Sequence, residues 1–503
     1  MENHWFTRHP QGVALQVKKV MQDQVRMAMQ DQARMVMQDH GKMTMQNWRR
    51  MLGLKPAGLL LLVFPISLFG QAAPHRLDAD IVAMLNEVSS KRLEATVRQL
   101  AGFGTRQSMS DTDSETRGIG AARRWIKSEF ERYSADSGGR LKVSFETFRH
   151  GPDGRRIDKP TDIVNVVAVL PGRSDRVFVV GGHYDSIPSD PTDSTTDAPG
   201  ANDDASGVAC AMELARIMSH YEFDATLMFI AFAGEEQGLI GSNYQAAKAR
   251  KDGLNIEGVF NNDTIGSSTD HRGRVDASKV RIYSIGVGES ETDEERRLRL
   301  ALGSENDSDS RQLARFTRET AGQYVPGIDA QLMYRRDRLG RGGDHTSYNR
   351  HGFPAIRIVE WAENFAHQHQ NPRMEDGVQY GDLPEFVDFD YLAQVTRVNL
   401  AAMANVARAP AKPRNVRIIY GRMSHVSEIL WEKSDEEHLW GYELLYRETT
   451  EAEWTHVIPL GNVTRYADDT LSKDHYLFAV RVVDRDGHRS LPVLAMPERG
   501  RRR

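Results

Sequence analysis

Five stretches of the sequence place acids or histidines beside glycine-rich turns. They are GGHYDS with His183 and Asp185, ANDDASG with Asp203 and Asp204, and GEEQGLIGS with Glu235 and Glu236. NNDTIGS adds Asp263, and GGDHTSYNRHGFPA adds Asp344 and His345. Five side chains from these separate stretches can converge: His183, Asp203, Glu236, Asp263 and His345. Two imidazoles and three carboxylates suit two borderline divalent cations such as zinc. Asp203, a short acid on a tight turn, is the natural bridge, so each ion receives one His, one carboxylate and a share of Asp203. Ions held about 3.5–4 Å apart lower the pKa of a shared water and stabilise the oxyanion that its attack creates. Glu235 is then free to act as general base, passing the water's proton to the leaving amine. Asp185, two residues past His183, can orient that imidazole.

The surrounding pattern says what carries these groups. IVNVVAVL (163–170) and VFVV (177–180) are β-branched runs bounded by Gly and Pro, hence strands. TLMFIAFA (226–233) is a continuous apolar run, as expected of a strand buried on both faces. GVFNND and VRIYSIGV read as further strands. Residues 113–134, GVACAMELARIM and GLIGSNYQAAKA show helical spacing. Strands alternating with helices predict an α/β fold with a mostly parallel central sheet flanked by helices. In such sheets ligands bind beyond the carboxyl ends of the strands, where GGHYDS, GEEQGLIGS and NNDTIGS fall, with ANDDASG between the first two, just before a helix.

These motifs, in this order and approximate spacing, resemble the co-catalytic di-zinc aminopeptidases of the bacterial leucyl aminopeptidase and aminopeptidase Y type. That group is related to glutamate carboxypeptidase and glutaminyl cyclase. The resemblance covers residues 90–408. It implies two Zn2+ per chain on His183, Asp203, Glu236, Asp263 and His345, with Glu235 as base and peptides as substrates. It also implies a cis peptide after the bridging acid, here Asp203–Asp204. Two departures concern substrate choice. Thr264-Ile265-Gly266 stands where the family usually has Met-Ile-Gly, and the loop 186–200 is longer than in compact members.

Other residues leave more than one reading open. In ENFAHQHQNPRMED, His367 and His369 alternate and could bind a metal; the same stretch also reads as a substrate-pocket loop or an ordinary polar loop. Glu360, ending IRIVE, could face the pocket or solvent. Arg335, Arg336, Arg338 and Arg341 could form a basic pocket for a terminal carboxylate, or a solvated charged loop. Cys210 is the single cysteine of 503 residues, which excludes an intramolecular disulfide and a Cys-rich zinc site. Its apolar neighbours make it a small core residue.

Domain organisation follows from composition shifts. Residues 1–50 carry an octad repeat beginning at Met21, Met29, Met37 and Met45, and read as a non-native extension or an interaction arm. Residues 51–73 follow Arg49-Arg50 with a short apolar core and a small-residue exit near Ala72-Ala73, the pattern of a signal peptide. Residues 74–408 form the metallopeptidase domain. After the Pro/Ala linker 407–415, residues 412–496 show short alternating runs that predict a β-sandwich, with Trp431 and YLFAV resembling a fibronectin type III module. The formal charge of −5 makes nucleic acid an unsuitable main partner. The expectation is a secreted or periplasmic aminopeptidase without a stable membrane anchor, with a cell-surface or protein partner open to the C-terminal module. The alternatives are a glutaminyl cyclase-like or carboxypeptidase-like enzyme of the same family, or an inactive secreted binding protein.

Overall fold

Apolar runs too long to alternate in and out of water must be covered on both faces, and here they form the middle of one sheet. The computed structural model describes residues 76–421 and 425–500. The expected extension 1–50, the signal peptide 51–73 and the last residues of the basic tail lie outside them. The described chain opens with α1 (Ala79–Glu87), α2 (Ser90–Ala101) and α3 (Gly118–Asp136). There follow β1 (Lys142–His150), β2 (Thr161–Leu170), β3 (Arg176–His183), α4 (Ala205–Met218), β4 (Thr226–Phe232), α5 (Ile240–Lys251) and β5 (Asn255–Asn262). Then come β6 (Lys279–Ser284), α6 (Asp293–Leu302), α7 (Asp309–Tyr324), β7 (Asp329–Met333), α8 (Asp344–Arg350) and β8 (Ala355–Glu360). A small hairpin, β9 (Arg373–Glu375) and β10 (Val378–Tyr380), precedes the long α9 (Phe389–Arg408).

The sheet order is β1-β2-β4-β3-β5-β8-β6-β7. Its centre, β4-β3-β5-β8, is parallel. The flanks are mixed: β1–β2, β2–β4 and β8–β6 pair antiparallel, and β6–β7 parallel. Every residue of β3 is buried. Apolar faces of α1, α2, α3, α4, α7 and α9 cover one side of the sheet, and α5 with α8 covers the other. Because β4, β3, β5 and β8 run the same way, their carboxyl ends share one edge. Cys210 lies in α4, fully buried, with its thiol pushed up to about 12 by burial, which leaves it unreactive. No helix among the described residues is long and apolar enough to cross a membrane.

The C-terminal residues form two four-stranded sheets. One has the order β15-β12-β11-β18, from β11 (Arg417–Tyr420), β12 (Ser427–Leu430), β15 (Arg465–Asp468) and β18 (Met496–Arg499). The other is β14-β13-β16-β17, from β13 (Leu439–Glu448), β14 (His456–Gly461), β16 (Tyr476–Asp484) and β17 (Val493–Leu494). They share a core in which Trp431 packs 5.4 Å from Tyr442, with Phe478 and Val480 alongside.

Buried charge joins this sandwich to the catalytic layer. Asp307 lies between Arg315 at 2.8 Å and Arg447 of β13 at 2.6 Å. Arg481 of β16 reaches Glu319 of α7 at 2.8 Å, and the Trp454 indole donates to Gln312. Near the first described residues, His488 meets Asp484 and Asp78, both at 2.9 Å, and Asp78 also pairs with Arg408. Burial opposes charge on His488, but Asp484 and Asp78 outweigh it and raise the imidazole to about 9. A raised imidazole stabilises the fold below its unfolded pKa of about 6.5, and that contribution is lost as pH climbs through the folded value. Denaturant unfolding across this range should show the wild type losing about 1–3 kcal/mol between pH 6.5 and 9 relative to His488→Gln.

Candidate metal centre

The edge shared by the parallel strands collects the acids. His183 is the last residue of β3, the Glu235–Glu236 turn follows β4, Asp263 follows β5, and Glu360 ends β8. The glycines of these motifs have local work. Gly234, just before the two glutamates, takes φ +70, which turns the chain sharply off β4. Gly207, in the first turn of α4, has no room for a Cβ: one would lie 2.5 Å from the Asn262 carbonyl and from Asp204.

Asp203 occupies the middle of the site. Its Oδ1 lies 3.1 Å from His183 Nε2, and its Oδ2 lies 2.9 Å from His369 Nε2. His369 also approaches Glu236 Oε1 at 3.0 Å, and Asp263 Oδ2 is 4.0 Å from His183 Nε2. Ligand atoms of His183, Asp203 and Glu236 lie within 4.8 Å of one another, as do those of His183, Glu235 and Asp263. The Asp203–Asp204 peptide is cis, as the family resemblance implied.

The structure brings together His183, Asp203, Glu236 and Asp263, but not His345. The fully buried His345 turns its Nε2 to the Arg336 carbonyl at 3.0 Å, with Asp337 at 3.7 Å. Asp337 pairs with Arg357, and Arg357 pairs with Asp263, both at 2.8 Å. His345 therefore stands behind a ligand candidate, separated from it by an ion-pair chain. Burial pulls it down to about 4, so it is neutral. The second imidazole of the cluster is His369. Its neighbour His367 instead stacks on Phe386 at 3.6 Å. A signal for His369 was present in the sequence: it follows β8, so its loop leaves the same sheet edge as Asp263.

Around the ligands, buried carboxylates hold backbone N–H groups. Asp204 accepts from His183, Gly207 and Thr264, tying the ends of β3 and β5 to the start of α4. Asp382 accepts from the Asn202 and Asp203 amides. Glu360 is buried and lines a small cavity together with Asp203; it accepts from the Asn202 side chain and from the Ser267 amide. Asp185 accepts from the Glu235 and Glu236 amides at 3.2 and 3.1 Å, while its own carbonyl lies 3.1 Å from His183 Nδ1. Asp185 is thus a positioning residue for both the imidazole and the glutamate turn, not a group that meets substrate.

Crowding shifts the titration of the cluster. Burial raises Glu235 well above the usual carboxylate range; His183 opposes this, and Asp263, Glu236 and Asp344 add to it. Burial opposes charge on His369, but Glu236 and Asp203 raise it to about 11. The donor set, two imidazoles and three carboxylates, fits zinc.

A parallel-centred α/β sheet that delivers such donors to one edge defines a metal-dependent hydrolase. The model of peptidase family M28 matches residues 165–384. A probable zinc metalloprotease of Pyrenophora tritici-repentis is 43% identical over 431 residues, 85% of this chain and 89% of its own. Another, from Pyricularia oryzae, is 45% identical over 444 residues, 86% and 88% of the two chains. Among solved structures, LapB of Legionella pneumophila aligns with a TM-score of 0.48 at 20% identity, over 67% of this chain and 76% of that one. The chain belongs to peptidase family M28 and is a zinc metallopeptidase.

His369→Ala should weaken zinc binding by about tenfold or more, whereas His345→Ala should leave zinc affinity near wild type, as read by competition with a chromogenic chelator. Because the metal-free cluster keeps His369 protonated far above neutrality, zinc loading at pH 7 should release protons. Calorimetry in two buffers of different ionisation enthalpy should detect them, and apparent affinity should rise roughly tenfold per pH unit for each proton released.

Proposed function

We propose that this metallopeptidase is an exported aminopeptidase working with two zinc ions per chain. The observation that carries this reading is Asp203, whose two oxygens each face a different imidazole. Asp203 would bridge, His183 and Asp263 would complete one ion, and Glu236 and His369 the other. Bound zinc supplies Lewis acidity, which activates water and stabilises the oxyanion of the attack. Glu235 takes the proton of the attacking water and delivers it to the leaving amine. Asp185 fixes the turn that aims Glu235, through the two amide hydrogen bonds. One zinc ion and acidic groups nearby would hold the free amino group of the substrate.

The cavity above the cluster has a volume of about 470 Å³. That is the scale of a small-molecule site and suits the end of a peptide better than an extended chain. The loop 186–200 closes one side: Ser189 exchanges two hydrogen bonds with Asn371, two residues past His369. Export rests on the basic and apolar segment 49–73. The C-terminal sandwich braces the catalytic layer through Asp307, Arg447 and Arg481. A carboxypeptidase reading is favoured by one observation, the arginines in the cavity wall.

Glu235→Gln removes the base and keeps the ligands. It should bind zinc as the wild type does and lose about 10²–10⁴-fold in kcat on aminoacyl anilides. Wild-type turnover in that variant would remove Glu235 from this role.

A further inference from the structure

The cavity wall carries an unusual excess of guanidinium groups, including Arg156, Arg336, Arg338, Arg341, Arg350 and Arg357. Most of this charge is already answered. Arg336 and Arg350 face Glu289, Arg338 pairs with Glu363, and Arg357 with Asp263 and Asp337. Among the described residues, Arg156 and Arg341 have no carboxylate partner. Arg341 donates to Gln368 Oε1 at 2.8 Å and lies 5.8 Å over the Phe365 ring. Gln368 in turn donates to Asp203 Oδ2 at 2.8 Å, so Arg341 stands one side chain away from the bridging acid. Arg156 donates to the backbone carbonyl of Glu236. Its loop is pinned by Asp153, whose Oδ1 accepts from the amides of 155, 156 and 157, and by the fully buried Ile157.

Loading the cluster sharpens the imbalance. Two divalent ions bring four positive charges against the carboxylates of Asp203, Glu236, Asp263 and Glu235, so the cluster has no spare negative charge to offer these arginines. A guanidinium fork matches a carboxylate bidentately, and its placement is fixed here by hydrogen bonds to Gln368 and to the main chain.

We propose that Arg341 and Arg156 form an anion subsite that binds a substrate carboxylate beside the scissile bond. The inference deepens the exopeptidase reading above and rests on it. The carboxylate has two possible sources, an acidic side chain or the terminal carboxylate of a short peptide. One pair of substrates separates each source: Glu-p-nitroanilide against Leu-p-nitroanilide, and Leu-Leu against Leu-Leu-amide.

With the zinc-loaded full chain, the carboxylate-bearing member of at least one pair should have a kcat/KM at least about tenfold higher. Arg341→Gln should reduce that ratio by about tenfold or more, and Arg341→Lys, which keeps the charge and loses the fork, by less. Zinc content and unfolding midpoints of the variants separate loss of the subsite from misfolding. Preference for the neutral member in both pairs, or ratios unmoved by Arg341→Gln and Arg156→Gln, overturns the subsite. If no aminoacyl substrate is cleaved, the aminopeptidase reading falls and calorimetry decides the subsite alone. Glutarate should then bind and glutaramide should not, with binding lost in Arg341→Gln; equal binding of the two, or none, overturns it.

Discussion

Asp203 is a buried carboxylate with one imidazole against each oxygen, and the rest of the site is arranged to hold it there. Such an acid is costly to bury unless cations or donors meet both oxygens. His183 and His369 do so without metal, and Gln368 adds a third donor to Oδ2. Burial and three neighbouring acids raise Glu235 well above the usual carboxylate range, against His183. Cations at the cluster would favour its anion instead. The same negative charge suits the site to zinc.

Precision in this site comes from buried carboxylates that bind backbone rather than metal. Asp204, Asp382, Glu360 and Asp185 each accept hydrogen bonds from amides of the loops that bear the ligands. A loop held at its amides keeps its side chains aimed when solvent or substrate changes. These residues have no contact with the reacting atoms, yet they join β3, β4, β5 and the loop past β8 into one frame. The loop 186–200 then joins the segment past His369 through Ser189 and Asn371, and the sandwich fixes α7 behind the sheet.

Much of this was legible from residue type and position. The unbroken apolar runs of β3 and β4 announce strands covered on both faces, and acids just past them fall at the edge where ligands bind. His183, Asp203, Glu236 and Asp263 are singled out that way, and Glu235 by its place beside Glu236; the structure brings their side chains together. His345 was misplaced because its motif, flanked by glycines like the others, says nothing of how its helix is turned. Its Nε2 instead meets the Arg336 carbonyl, with Asp337, the partner of Arg357, 3.7 Å away. His369 was one of two alternating histidines, and only packing separates them, since Phe386 takes His367. The antiparallel flanks of the sheet and the ion pairs behind the sandwich were equally out of reach, because strand order and long-range charge pairing depend on tertiary contacts.

Anomalous diffraction at the zinc edge, on crystals of the zinc-loaded protein, tests the central claim most directly. The account predicts two peaks about 3.5–4 Å apart with Asp203 between them, one beside His183 and Asp263 and the other beside His369 and Glu236. A single peak, or a peak beside His345 with none beside His369, would contradict it.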